Sequence, residues 1–327
     1  MKNMRRIFIL LALVLACGCS GSETGKKNNK NKPSDNNLHL LVENIMHDLS
    51  IPNKSKFQDS FIEEFDQNQS NFFTHHSGGK GADFTWEMGS ASSSEPDTRV
   101  LALKLDPEEE AGAGKGPELV SNKFTFYGTY AARLRVPDPR DVQPNVGAVV
   151  GYFTYREDDE FGLSEIDFEW LIADPQIIYV GTWTGASGKL KRIGRTINLD
   201  KGQIYETIFR EQDGSNRKIL TGDQNQPETI KPIQGYDASS QFHTYGFDWY
   251  PDRIRWWMLH PATNDTIVLW DYRGSDIGIP TTHTRYRINS WHTDDWPVHT
   301  NPHSIEKPVI SFGTEVDWMS YTPFETD

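Results

Sequence analysis

Ser-Glu-Ile-Asp-Phe-Glu-Trp, residues 164–170, decides the fold. Its three acids, Glu165, Asp167 and Glu169, take every second position, and Ile166, Phe168 and Trp170 fill the positions between. Side chains on a β-strand alternate faces, so this spacing puts the carboxylates together on one side and the apolar set on the other. β-Branched and aromatic residues favour a strand, and neither Gly nor Pro interrupts the run. A solvated outer face commonly mixes signs. Here no basic residue breaks the row, and like charges side by side oppose folding. Carboxylates so placed suit the cleavage of a glycosidic bond, in which one attacks the sugar carbon or holds developing charge while another protonates the leaving oxygen.

Glu165 and Glu169 are four residues apart, about 13 Å along a strand backbone. If both side chains lean inward on a concave sheet, the carboxyl groups approach the ~5 Å of a retaining, double-displacement glycosidase. Asp167 between them can hydrogen-bond to one neighbour while its charge raises the pKa of another, which helps an acid keep its proton near neutral pH.

Working outward, Val100 to Leu105, Tyr127 to Val136 and Val146 to Tyr155 alternate in short stretches bounded by Gly, Pro, Asn and Asp. Phe242 to Met258 reads as a hairpin turning at Pro251-Asp252, with His243 a structural histidine. There is no internal repeat and no sustained helical period after residue 57. This pattern predicts an all-β sandwich of two antiparallel sheets rather than helices alternating with parallel strands. Glu108-Glu109-Glu110, followed by Ala-Gly-Ala-Gly, reads as a solvated loop.

The Glu-Ile-Asp-Phe-Glu run resembles the active-site strand of the family 16 glycoside hydrolases, which include lichenases, laminarinases and xyloglucan-active enzymes. Further stretches follow in that family's order: Phe126 to Leu134, Val149 to Tyr155, Phe242 to Trp249 with Pro251 to Ile254, and Asn289-Ser-Trp291 with Asp294-Asp295-Trp296. The resemblance spans about Phe57 to Tyr321 and implies a β-jelly-roll with a substrate cleft. It implies Glu165 as nucleophile, Asp167 as assisting acid and Glu169 as acid/base, with no cofactor required. Tyr179, Trp183, Trp291, Asp294 and Trp296 fall where the family lines its cleft, although core or rim packing is the rival reading for the aromatics. Glu118 matches a sugar-contacting Glu, but the Arg expected two positions later is Val120. Asp317 matches a structural-calcium position. His292, Asp294, His299 and His303 match no metal-ligand spacing. The implied activity is endo-hydrolysis of a β-glucan, mixed-linkage β-1,3-1,4 or β-1,3, and the unbroken Glu-x-Asp-x-Glu spacing favours the lichenase and xyloglucan-type branch. A transglycosylase using the same residues and a non-catalytic glycan-binding lipoprotein are the alternatives. The segment from 188 to 232 is longer than in compact lichenases and reads as an inserted hairpin or long loop beside the cleft.

The 327 residues carry 33 Lys and Arg against 46 Asp and Glu, a net charge of −13, which argues against nucleic acid as a partner. Lys2, Arg5 and Arg6 precede an apolar run from Ile7 to Ala16 that is too short to span a bilayer and reads as a signal peptide, residues 1–19. Cys17 and Cys19, the chain's two cysteines, follow small residues at its end and resemble a bacterial lipobox, so one of them is the expected lipid attachment. Residues 20–37 form a polar tether, and 38–56 an N-terminal segment in which Leu38 to Leu49 has the spacing of a short amphipathic helix. The catalytic domain then covers 57–323. The whole reads as an exported, lipid-anchored monomer on a bacterial membrane, with a polysaccharide as its partner.

Overall fold

The computed structural model describes residues 51–67, 69–77, 83–88, 99–274 and 277–324, with the backbone alone for 77 and 83–88. The leader with Cys17 and Cys19, the tether and the helix expected over 38–49 lie outside the described residues. In chain order the strands are β1 (Phe61–Glu63), β2 (Phe73–Ser77), β3 (Asp83–Met88), β4 (Arg99–Leu105), β5 (Pro117–Ser121), β6 (Gly128–Arg135), β7 (Ala148–Asp158), β8 (Gly162–Leu171) and β9 (Ile177–Gly185). They continue with β10 (Lys191–Asn198), β11 (Gln203–Glu211), β12 (Lys218–Ile219), β13 (His243–Trp249), β14 (Arg253–Leu259), β15 (Thr266–Arg273), β16 (Arg285–His292) and β17 (Phe312–Pro323).

They form two sheets. The back sheet runs β15-β14-β13-β6-β17-β4-β3, with β1 also paired to β17. The cleft sheet runs β12-β11-β10-β9-β8-β7-β16-β5-β2. Ladders between neighbours are antiparallel, for example β8 against β7 on one side and β9 on the other. This is the expected all-β jelly-roll of two antiparallel sheets.

Strand β8 shows why the sequence folds this way. Its start is set by Gly162 (φ 77°), where an added Cβ would fall 2.4 Å from the Gly185 carbonyl. The Asp158 carboxylate caps the preceding turn by accepting from the Glu160 and Phe161 N–H groups at 2.9 and 3.2 Å. Beyond the turn Ile166, Phe168 and Trp170 are fully buried. Phe168 stacks on Trp170 at 5.8 Å, and Trp170 meets Tyr245 of the back sheet edge-on at 4.8 Å. Such aromatic burial is the main cohesive force between the layers.

Polar atoms inside the sandwich pin the sheets in one register. The Tyr286 hydroxyl donates to the Ala131 carbonyl and shares a hydrogen bond with the Tyr152 hydroxyl, both at 2.9 Å. Trp256 of β14 donates its indole N–H to the Asp167 carbonyl at 3.0 Å, and the Thr282 hydroxyl donates to Ser164 Oγ at 2.6 Å. The acid-bearing strand is thus held by β14 of the opposite layer and by the connection between β15 and β16. The β13–β14 hairpin turns where expected, with Trp249 opposite Ile254 and Tyr245, Phe247, Trp249, Ile254, Trp256 and Met258 in the core. His243 is buried with Nε2 3.1 Å from the Asp237 carbonyl, and burial pulls its pKa down.

Of the two readings of the 188–232 segment, the hairpin is the one found: β10 pairs antiparallel with β11, and both are full members of the cleft sheet. Their polar sequence concealed this because its cation is satisfied inside. Arg195 is buried, stacks on Trp270, and donates to Thr207 Oγ1, the Pro227 and Leu269 carbonyls and Asn225 Oδ1. One expectation needs correction: in the acidic run Glu108 and Glu110 are exposed, but Glu109 is not solvated. It is 2 % exposed with Oε2 unpartnered, and burial raises its pKa. The loop that carries it folds against β16, where the Gly112 N–H donates to the His292 carbonyl at 2.8 Å.

Candidate active site

Glu165, Asp167 and Glu169 of β8 line one cavity of about 300 Å³ with Gly151, Phe153 and Tyr155 of β7, Glu118 of β5, and Arg287, Asn289 and Trp291 of β16. Register explains the grouping. Tyr155, Phe153 and Gly151 sit directly opposite Glu165, Asp167 and Glu169, and Arg287 and Asn289 stand opposite Phe153 and Gly151. Side chains paired across a ladder share a face, so four strands contribute to one lining. Gly151 leaves room here: an added Cβ would meet Asn289 Oδ1 at 2.5 Å, and the amide would have to move. The absence of a side chain lets the Asn289 amide fold over the floor opposite Glu169. Asn289 is 6 % exposed, and its Oδ1 has no protein partner, as does Arg287 Nε. Buried polar atoms left open in a cleft are ready to meet a ligand's hydroxyls.

The row is electrostatically loaded. Asp167 is buried, and Glu165 and Glu169 are half-buried. Burial is the first cause of a raised pKa in all three; the charge of Glu169 adds to it at Glu165, and both glutamates add to it at Asp167. Arg192 of β10 opposes the rise throughout, its Nη2 3.7 Å from Glu169 Oε2, and Arg287 opposes it at Glu165. Carboxylates that share one lining and feel one another's charge titrate as one set. The set retains protons to higher pH than free acids do, while the two guanidiniums favour keeping some negative charge on it.

Arg287 also resolves the missing Arg beside Glu118. It lies directly across the β16–β5 ladder from Val120, and its Nη1 is 2.6 Å from Glu118 Oε1. The cation comes from the neighbouring strand. Sequence alone could have flagged it, because Arg285, Arg287, Asn289 and Trp291 alternate along β16 as the acids do along β8.

Other expected residues are not brought to this cavity. Tyr179 faces the same way as Glu169 but is buried under the 296–299 loop, its hydroxyl accepting from the His299 N–H at 2.9 Å and its ring edge-on to Trp296 at 5.4 Å. Trp183 lies opposite Glu165, with Arg192 and Arg210 over its ring at 5.3 and 4.7 Å. Trp296 sits 6.3 Å from Trp291, and Asp294 is exposed. Asp317 is on the back sheet, its carboxylate ion-paired with Arg133. The carboxylate is thus engaged by a cation of the neighbouring strand β6. Among the described residues no group of three or more His, Cys, Asp or Glu could hold a metal ion. His292 Nδ1 is engaged 2.6 Å from the Gly147 carbonyl, and His299 stacks on Tyr205.

The family model for glycosyl hydrolases family 16 matches residues 79–307, which include the whole acidic row. The chain belongs to that family. Among its relatives, the beta-glucanase of Bacillus subtilis (strain 168) is 23% identical over 274 residues, covering 80% of this chain and 86% of the relative. That of Paenibacillus polymyxa is 24% identical over 255 residues, covering 76% and 79%. The solved Bacillus licheniformis beta-glucanase is similar at 20% identity with a TM-score of 0.48, covering 82% of this chain and 100% of that one. As a family 16 member the protein is a glycoside hydrolase, and the β8 acids line the cavity described above.

Proposed function

We propose that this glycoside hydrolase cuts internal β-linkages of a β-glucan by double displacement. The observation that carries the reading is the convergence of all three β8 carboxylates on one cavity floored by Gly151 and Asn289. A Glu165 carboxylate oxygen attacks the anomeric carbon as the bond to the departing sugar's oxygen breaks. Glu169 gives that oxygen its proton, so the first product leaves neutral and a glycosyl ester remains on Glu165. Glu169, now a carboxylate, takes a proton from water as the water oxygen attacks the same carbon, and the ester bond breaks. Asp167 lies between the two and stabilises the proton arrangement each half-reaction needs. Arg287 and Glu118 fix the wall beside them, and Trp291 offers a face to a sugar ring.

The beta-glucanase names of the relatives support a β-glucan as the polymer, and the unbroken Glu-x-Asp-x-Glu spacing favours a mixed-linkage β-1,3-1,4-glucan within that class. Incubation with lichenan, laminarin, xyloglucan, agarose and carrageenan, with product sizes read out, tests this. Short oligosaccharides should appear from lichenan first. Products longer than an added oligosaccharide acceptor would point instead to transfer onto a sugar hydroxyl.

Arg192 should set the pH range. Glu169 must be protonated to act as an acid, so kcat/KM falls as pH rises through its raised pKa. Arg192 lowers the pKa of Glu169 and of Glu165. Arg192→Met therefore should move both limbs of the pH profile to higher pH, with Arg192→Lys in between. A profile unchanged in Arg192→Met would remove this role.

We further propose that the chain is exported and held as a monomer on a bacterial membrane through lipid on Cys17 or Cys19, which the apolar run before them supports. Replacement of both cysteines by Ser should move the protein from the membrane fraction to the soluble one; retention in membranes would count against the anchor.

A further inference from the structure

A single cross-strand row passes through Glu165. From β11 to β16 it reads Arg210, Arg192, Trp183, Glu165, Tyr155, Arg285, each residue paired with the next. Strands stand ~4.8 Å apart, so the Arg285 backbone lies about 10 Å from that of Glu165, roughly two sugar units along the row.

The Arg285 end is unlike the rest of this acidic chain. Arg156 and Arg285 lie over the same Phe124 ring, at 5.0 and 4.2 Å, and Arg287 is the next cleft-facing residue along β16. Two of these three cations have acids: Arg156 with Asp158 and Arg287 with Glu118. Arg285 has no carboxylate within ion-pairing distance among the described residues. Its Nη1 donates to the Ser121 carbonyl at 3.0 Å, which fixes the guanidinium, and Glu157, the acid at the nearby rim, is bonded to the Tyr155 hydroxyl at 3.2 Å. Burial and the charges of Arg287 and Arg156 lower the Arg285 pKa, the mark of a cation set among cations. Arg285 also lines a second cavity with Thr74, His76, Asn122 and Arg287, and that cavity shares His76 and Arg287 with the one holding the acids. The cleft therefore continues from the acidic row into a positively charged arm.

We propose that this arm is an anion subsite, in which Arg285 takes a carboxylate or sulfate ester carried by the glycan about two sugars from the cleavage point. A planar guanidinium held by one hydrogen bond and a ring keeps further N–H donors for two oxygens of such a group. Positive charge focused in a cleft of a chain with net charge −13 also draws an anionic chain into that arm. The inference rests on the glycanase reading for its polymer, but the binding it describes does not need turnover.

The test compares lichenan with carboxymethyl lichenan and lichenan sulfate, so that backbone is constant and the two anions are separate arms. Binding is measured on Glu165→Gln, and kcat/KM on the otherwise unaltered chain. At ~20 mM salt the charged polymers should bind about tenfold tighter than lichenan, with the advantage fading near ~200 mM. Arg285→Gln should abolish that advantage while changing lichenan turnover less than about twofold. Thr74→Glu leaves Arg285 in place and puts an acid into the same arm from an exposed β2 position, so it should abolish the advantage even if Arg285→Gln is unstable. Equal binding of neutral and charged polymers, or an advantage surviving both variants, overturns the subsite. A chain that cuts none of the polymers yet shows Arg285-dependent binding overturns the glucanase reading and leaves the subsite standing.

Discussion

Glu165→Gln is expected to cut β-glucan turnover by about 10⁴-fold or more while leaving the fold intact. The size follows from chemistry: an amide cannot form the glycosyl ester, so both half-reactions lose their route. The intact fold follows from the site. Burial already disfavours the ionised form of Glu165, and a neutral group of the same shape relieves that cost. The melting temperature should hold or rise, as it does where a strained functional charge is removed. Turnover within tenfold of the parent would remove the nucleophile assignment. A sharper check uses Glu165→Ala with azide and an activated aryl β-glycoside. Azide entering the vacated space should give an α-glycosyl azide, because it attacks from the side where Glu165 stood.

Much of this was legible because β8 has two faces of opposite chemistry. Ile166, Phe168 and Trp170 could serve a core and the three acids could not, so one alternation settled strand, burial and candidate chemistry together. The same logic placed the β13–β14 hairpin. What sequence did not show is lateral. Which strand lies beside which is decided by pairings between distant segments, and β16, next to β7, begins more than a hundred residues after β7 ends. The alternation along β16 marks Arg287 as facing the cleft, but its acid partner stays hidden until it is seen across from Val120 and against Glu118. Arg192 is hidden for the same reason, in a polar segment with no motif, until β10 brings it to Glu169.

Aromatics were ambiguous for a different reason. Tyr179 and Trp291 both lie on strands of the cleft sheet, and periodicity treats them alike. Their fates differ because the loop after β16 covers one and not the other, with the His299 N–H donating to the Tyr179 hydroxyl. Loop coverage also buried Glu109, which charge patterning assigned to solvent. In both cases a strand or a run read by itself leaves exposure undecided, because a loop more than a hundred residues away, or a neighbouring strand, decides it.

Glu169→Gln should give the second large loss, about 10²- to 10⁴-fold on a polysaccharide, the range a positioned general acid contributes. Unlike the loss at Glu165, this one should depend on the substrate. A sugar alkoxide is a poor leaving group and needs the proton, whereas a nitrophenolate leaves without it. On an activated aryl β-glycoside the first half-reaction should be nearly as fast as in the parent. The second half-reaction still lacks its base, so the glycosyl-enzyme should accumulate and appear as a burst of released phenol followed by a slow phase. The alkaline limb of the pH profile should also vanish, since no titrating acid remains at position 169, whereas Arg192→Met only displaces that limb. Equal losses on polysaccharide and aryl glycoside, with no burst, would mean that position 169 acts by holding charge or shape and not by moving a proton. Asp167 would then be the remaining carboxylate of the row able to supply one, although its burial beside two like charges and its raised pKa suit it better to keep a proton than to hand it on.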